Sequence, residues 1–316
     1  MLLTRFLPVL LCTALILSGC FSRPAVESRD SSRPVVAVSI VPQASWVKAI
    51  AGDLVDVVTV IPPGQSAETY SPTPQQMAQF SKAALYFTLR VPAEEAAILP
   101  KVPDLNAKMR IIDLAAAVKA VYPERKLEAH SHAHGEAHDE HEHDEDDEHE
   151  HEGGIERDPH IWLSPKRAMV IVKTTAAELA AFDPANKAVY EQNAQAYLDR
   201  LSQLDATIQA LLKDSKNKRF LIYHPALGYF ADDYGLTMTA LEAGGKDATP
   251  QALQQAIELA KRENNKVVLY EEEMDSRQAK TFAAEIGGVA QKISPFASNY
   301  IEAMEQIASL IAKEAR

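Results

Sequence analysis

Cysteine is nearly absent: the 316 residues hold two, Cys12 and Cys20, both near the N-terminal end. Cys12 lies inside an apolar stretch, Phe6–Leu17, that follows Arg5 and reads as a secretory signal, so it leaves with that signal. Cys20 is the one cysteine left, and its reading as a lipidation site leaves none free for a disulfide scaffold, a thiolate zinc finger or a cysteine nucleophile. Long hydrophobic runs are also missing, since Phe6–Leu17 is too short for a membrane span. No cluster or stripe of Lys and Arg occurs, which argues against a nucleic-acid partner. Nor is there a His-Glu-x-x-His helix, a Gly-x-Ser-x-Gly elbow or a P-loop.

Acid outweighs base, 44 to 32, for a net charge of −12, but the excess is local. Residues 130–152 hold eleven acids and no Lys or Arg, which leaves the remainder of the chain close to neutral. The same segment holds eight of the ten histidines: His130, His132, His134, His138, His141, His143, His149 and His151. Such a composition cannot bury a core, so residues 127–156 are expected to form a disordered loop. Its imidazoles and carboxylates form an auxiliary set of weak ligands for zinc and similar dications. Each capture must order the chain, so a tight site is expected elsewhere.

At the start of the chain, Leu17-Ser18-Gly19-Cys20 has the form of a bacterial lipobox, with cleavage before Cys20 and lipidation of its thiol. Residues 1–19 are read as the signal and 20–33 as a polar lipid-proximal linker. The fold then begins at Pro34. Val35–Ile40, Val55–Ile61, Ala84–Thr88 and Met109–Asp113 read as strands with helical segments between, and Phe220–His224, Thr237–Ala243, Lys266–Glu271 and Val289–Ile293 as a second series. Pro250–Arg262 and Ser276–Ile286 are the helices expected within that second series. Alternation of this kind specifies parallel sheets covered by helices, an α/β class with two lobes, 34–183 and 215–316. Between them, Val189, Tyr190, Asn193, Tyr197, Leu201, Leu204, Ile208 and Leu211 recur at helical spacing. One helix over 184–214, on the order of 45 Å long, would be a rigid strut bridging the lobes; the alternative is a kinked pair.

Two histidines lie outside the loop. His160 sits in Asp158-Pro159-His160-Ile161-Trp162-Leu163-Ser164-Pro165, ahead of a helical pattern that starts near Lys166. His224 ends a strand, the place where doubly wound sheets bind ligands. The two would face each other across a cleft between the lobes.

Four segments carry a family resemblance: Pro63-Gly64-Gln65-Ser66-Ala67-Glu68-Thr69-Tyr70-Ser71-Pro72-Thr73-Pro74, the segment around His160, Tyr223-His224-Pro225-Ala226-Leu227-Gly228-Tyr229-Phe230, and Asp183-Pro184-Ala185. From about Val35 onward the chain resembles the zinc- and manganese-binding solute-binding proteins of bacterial ABC importers, the zinc-uptake branch in particular. That resemblance implies a dication held at the interface of the two lobes, with His160 from the first and His224 from the second. The family's first ligand is a histidine where this chain has Glu68, a change toward harder ions such as Mn2+ or Fe2+. Its C-terminal aspartate ligand is replaced by Ser294, and Glu271, at a neighbouring strand end, is the candidate fourth ligand, with water as the alternative. Asp158 is expected to orient His160 or cap the turn that follows.

The resemblance implies no enzyme but a monomeric, extracytoplasmic receptor, anchored in a bacterial membrane through Cys20. It would deliver Zn2+ to an ABC permease with a cytoplasmic ATPase. Two other classes remain open at this level: a metal-buffering or adhesive surface lipoprotein, and a zinc hydrolase using two histidines and a glutamate.

Overall fold

The computed structural model describes residues 33–127, 157–243, 246–247, 249–274 and 276–314. The segment read as a signal (1–19), Cys20, nearly all of the segment read as a linker and the eight histidines between 130 and 151 lie outside these described residues.

The first half runs β1 (Val35–Val38), α1 (Val41–Ala51), β2 (Asp56–Thr59), α2 (Pro74–Phe80), β3 (Leu85–Thr88), α3 (Pro92–Ala97), α4 (Val102–Leu105), β4 (Arg110–Asp113) and α5 (Leu114–Lys119). Two long helices follow, α6 (Pro165–Phe182) and α7 (Lys187–Lys213). The second half runs β5 (Arg219–Ile222), α8 (Gly228–Tyr234), β6 (Thr237–Ala240), a short hairpin of β7 (Glu242–Ala243) and β8 (Lys246–Asp247), α9 (Pro250–Arg262), β9 (Val267–Glu271), α10 (Ser276–Glu285), β10 (Val289–Ile293) and α11 (Tyr300–Glu314). Both principal sheets have four strands, all parallel, in the orders β2-β1-β3-β4 and β10-β9-β5-β6. The fold is therefore the expected α/β one, with two parallel sheets and a long helix between them.

The central strands β1, β3, β5 and β9 bury both faces, as a sheet covered on two sides requires, while the edge strands β2, β4, β6 and β10 are more exposed. Val36 and Val38 of β1, Phe87 of β3, Phe220 and Ile222 of β5 and Leu269 of β9 point into one large apolar core. Ala37 and Tyr86 join a smaller cluster with Phe80 and Met109 behind the first sheet. Leu221 and Val268 do the same with Phe282 and Ile286 behind the second. The large core is continuous through both sheets and through α6 and α7, whose Ile171, Leu179, Tyr190, Leu201 and Ile208 are fully buried.

Helix α7 is one α-helix of 27 residues, about 40 Å at 1.5 Å per residue, and not a kinked pair. It starts three residues later than Pro184, because Pro184–Asn186 forms a 3-10 turn. Asp183 holds that turn, its carboxylate accepting from Asn186 Nδ2 at 2.7 Å and from the Tyr190 hydroxyl at 2.9 Å. The apolar stripe is broadly as expected, with two corrections. Val189 is 44% exposed, and Leu212 rather than Leu211 is fully inside. A stripe read at 3.6 residues per turn drifts at its ends, and the helix packs on the helices α1, α6 and α11.

Contacts between the halves are polar as well as apolar. Arg167 of α6 forks onto the Asp233 carboxylate of α8 at 3.0 and 3.2 Å, and Ser164 donates to the same group at 2.6 Å. Trp162, fully buried, donates its indole N–H to the Pro295 carbonyl at 3.1 Å, and the Tyr300 hydroxyl donates to the Trp162 carbonyl at 2.8 Å.

Candidate metal centre

In both sheets the chain leaves a central strand first to one side and later to the other, and ligands bind at the carboxyl ends of strands where that reversal occurs. In the second sheet the reversal lies between β5 and β9. His224 follows β5 by two residues, and Glu271 is the last residue of β9.

Glu68 comes from the connection between β2 and α2. Gly64 at φ +76 lets that segment turn, a left-handed conformation that a side chain would strain. Ser66 Oγ accepts from the Glu68 N–H at 3.1 Å, and the Ala67 carbonyl accepts from Ala93 at 3.0 Å. Thr73 and Gln76 then cap α2 reciprocally. His160 is set by its own neighbour: Asp158 Oδ1 accepts from the His160 backbone N–H at 3.0 Å and pairs with Nδ1 at 2.8 Å. Asp158 thus holds the backbone turn and the ring at once. His224 pairs its Nδ1 with Glu242 Oε2 at 2.7 Å, so each histidine has one carboxylate behind it and presents Nε2 to the centre.

The Nε2 atoms of His160 and His224 lie 3.3 Å apart. Glu68 Oε1 lies 3.1 Å from His224 Nε2 and 4.0 Å from His160 Nε2. A tetrahedral zinc with bonds of about 2.0–2.2 Å needs donors about 3.3–3.6 Å apart, so two of these edges are near tetrahedral spacing and the third is slightly open. Among the described residues this is the group of three His, Cys, Asp or Glu side chains whose donor atoms converge within 4.8 Å. Both histidines are 4% exposed, while the Glu68 side chain is a quarter exposed.

The electrostatics suit a dication. Burial works against a charge on His224, but hydrogen bonds to Glu242 and Glu68, with the Glu271 charge nearby, outweigh it and push its pKa up to about 11. Burial would raise the Glu68 carboxyl, yet the His224 hydrogen bond and charge bring it below its ordinary range. Glu271, 5% exposed, is raised by burial, and its Oε1 is buried without a hydrogen-bond partner. Glu271 is not one of the three converging residues. Ser294 follows β10 and is half-buried, beside the Pro295 carbonyl that Trp162 engages.

Sequence reasoning did not single out Glu242, the residue paired with His224. The signal was present, since Glu242 lies just past a strand at the carboxyl edge of a doubly wound sheet, where an acid has a ligand-side meaning.

A family model for the periplasmic zinc-uptake complex component A matches residues 36–314. The high-affinity zinc uptake system protein ZnuA of Bacillus subtilis (strain 168) is 31% identical over 290 residues, spanning 89% of this chain and 84% of that protein. The zinc-binding lipoprotein AdcA of Streptococcus pneumoniae is 28% identical over 305 residues, 93% of this chain but 57% of AdcA, so the chain spans little more than half of that relative. A crystal structure of ZnuA matches with a TM-score of 0.76 and 30% identity, over 90% of this chain and 99% of that one. A zinc-bound deletion mutant of ZnuA matches at 0.75 and 31%, over 89% and 98%. With the match running through both sheets and all three converging residues, the chain belongs to the family of periplasmic zinc-uptake component A proteins.

Proposed function

We propose that this protein captures zinc outside the cytoplasmic membrane and delivers it to an ABC permease driven by a cytoplasmic ATPase. The observation that carries the reading is the convergence of Glu68, His160 and His224 at near-tetrahedral spacing, from connections belonging to both sheets. The metal is cargo, and the chain is a binding component and not an enzyme, which removes the hydrolase alternative. Glu271 or water completes the four-coordinate site, Glu271 being favoured by its unpartnered buried oxygen at the neighbouring strand end. The protein is a monomer held to its membrane through lipidated Cys20, in keeping with a relative described as a lipoprotein. The eight histidines between 130 and 151 form an auxiliary, weaker set.

The test is a competition titration with zinc and manganese on metal-free protein starting at Ser22 and lacking residues 130–152. One tight site that survives the deletion and prefers zinc is expected. Loss of the tight site with the deletion would leave a buffering or adhesive lipoprotein, and a preference for manganese would make this the receptor of a harder ion. Glu68 is the residue that would favour manganese. Glu68→His is therefore expected to shift the ratio of zinc to manganese affinity toward zinc by about tenfold, or about 1.4 kcal/mol, as softer imidazole replaces carboxylate. The same competition checks it, and an unchanged ratio would mean that residue 68 does not set selectivity.

A further inference from the structure

Asp158 is buried completely, and only one of its oxygens is hydrogen-bonded. Oδ1 takes both the backbone N–H and Nδ1 of His160. Oδ2 has no hydrogen-bond partner, and neither does the buried Nε of Arg125, which lies 3.5 Å away. The two groups meet as a charge pair. A carboxylate removed from water needs such a cation, because an uncompensated buried charge is strongly destabilising. Space for the pair is made by Gly228 at the start of α8. A Cβ there would lie 2.7 Å from Asp158 Oδ2 and closer still to Arg125 Nε.

The remainder of Arg125 faces the second half of the chain. Its Nη1 donates to Asp232 of α8 at 2.8 Å. Its backbone N–H donates to the Tyr229 hydroxyl at 3.1 Å, and that hydroxyl donates to the Asp158 carbonyl at 3.0 Å. The Arg125 carbonyl accepts from the Asp158 N–H at 2.9 Å, and the next residue, Lys126, forms an antiparallel bridge with Arg157. One side chain thus touches the carboxylate behind a metal-facing histidine and a helix from the opposite sheet.

We infer that Arg125 is a positioning residue for metal binding, holding Asp158 so that the His160 ring keeps Nε2 aimed at the centre. The inference rests on the reading that His160 ligates zinc. Arg125 touches neither the metal nor its ligands, and its effect passes through Asp158. Loss of an outer partner of a metal-bound histidine lowers affinity by about 10–100-fold, and Arg125 stands one contact further out. The lower end of that range is the expected size.

The test uses the full chain, with a chelator strong enough to keep weak sites empty, and two readouts: zinc affinity and the visible absorption of bound Co2+. Arg125→Ala is expected to weaken zinc by about tenfold and alter the cobalt bands. Arg125→Lys should restore part of both. Asp232→Asn, which removes the charge on the α8 side of Arg125 and leaves Asp158 in place, should leave the cobalt bands unchanged. Gly228→Ala keeps both charges but separates them, and should move affinity and spectrum in the same direction as Arg125→Ala. Wild-type affinity and bands in Arg125→Ala would overturn the inference, as would an Asp232→Asn variant that reproduced the whole effect. A wild-type protein with no tight zinc site would overturn the functional reading and this inference with it. A tight wild-type site unaffected by Arg125→Ala would overturn the inference alone.

Discussion

Replacing His224 by alanine is expected to lower zinc affinity by about 100–1,000-fold. Protein zinc sites with four ligands hold the ion with roughly 10–16 kcal/mol, so each ligand carries about 3–4 kcal/mol, or two to three decades of affinity. His224 should lie at the upper end for a second reason. Its removal leaves Glu242, 3% exposed, without the ring that its carboxylate engages at 2.7 Å. His160→Ala should fall in the same range, because Asp158 is likewise left with one fewer donor. Chelator competition on each variant gives the affinity, and the melting curve of the metal-free protein separates loss of a ligand from loss of the fold. A variant that melts normally and binds zinc as tightly as the parent would remove its residue from the ligand set.

The second large effect is on pH. In the metal-free protein, Glu242 and Glu68 hold two sides of His224 and raise its pKa to about 11, so the ring carries both protons throughout the physiological range. Zinc needs the bare Nε2. The proton directed at Glu68 must leave as the metal arrives, and Glu68 exchanges that proton for the metal in the same step. The sign follows directly. A proton bound below about pH 11 competes with zinc, so affinity rises with pH over the whole range below that value. The slope is about tenfold per pH unit for one proton released, which predicts a loss of about 100-fold between pH 8 and pH 6. Calorimetry at pH 7 in buffers of differing ionisation heat counts the protons directly. Release of about one is expected, and a heat independent of buffer would show that His224 is already neutral before zinc binds.

Much of this arrangement could be read before the structure. Every strand of the two parallel sheets falls inside a segment read as a strand except β5, which starts one residue early at Arg219, and Val289–Ile293 and Pro250–Arg262 have the bounds expected for them. Most expected strands are longer than the ladders formed, because apolar alternation continues past the last paired residue. Thr237–Ala243 is the clearest difference. Pairing with β5 ends at Ala240, Leu241 turns its N–H back to the Ile222 carbonyl, and Glu242 starts an antiparallel hairpin. That turn aims Glu242 at His224, so the misjudged strand end and the missed site residue share one cause. The convergence of Glu68, His160 and His224 could be expected from the family resemblance, with strand-end position adding to it for His224 alone. Glu271 was placed correctly at its strand end, yet whether a buried carboxylate reaches the centre depends on its rotamer, which a one-dimensional pattern does not encode. Arg125 was illegible for a similar reason, since its partners Asp158, Gly228 and Asp232 are brought together only by folding.

The backbone bridge between Lys126 and Arg157 closes the chain on itself where the histidine-rich segment leaves and returns, three residues from His160. The bridge fixes the spacing of these two residues, so any insert between them starts and ends at that spacing. The position is a natural graft point: a fluorescent protein spliced there would have its two ends pinned beside the Asp158–His160 pair, and its emission would be placed to report zinc occupancy.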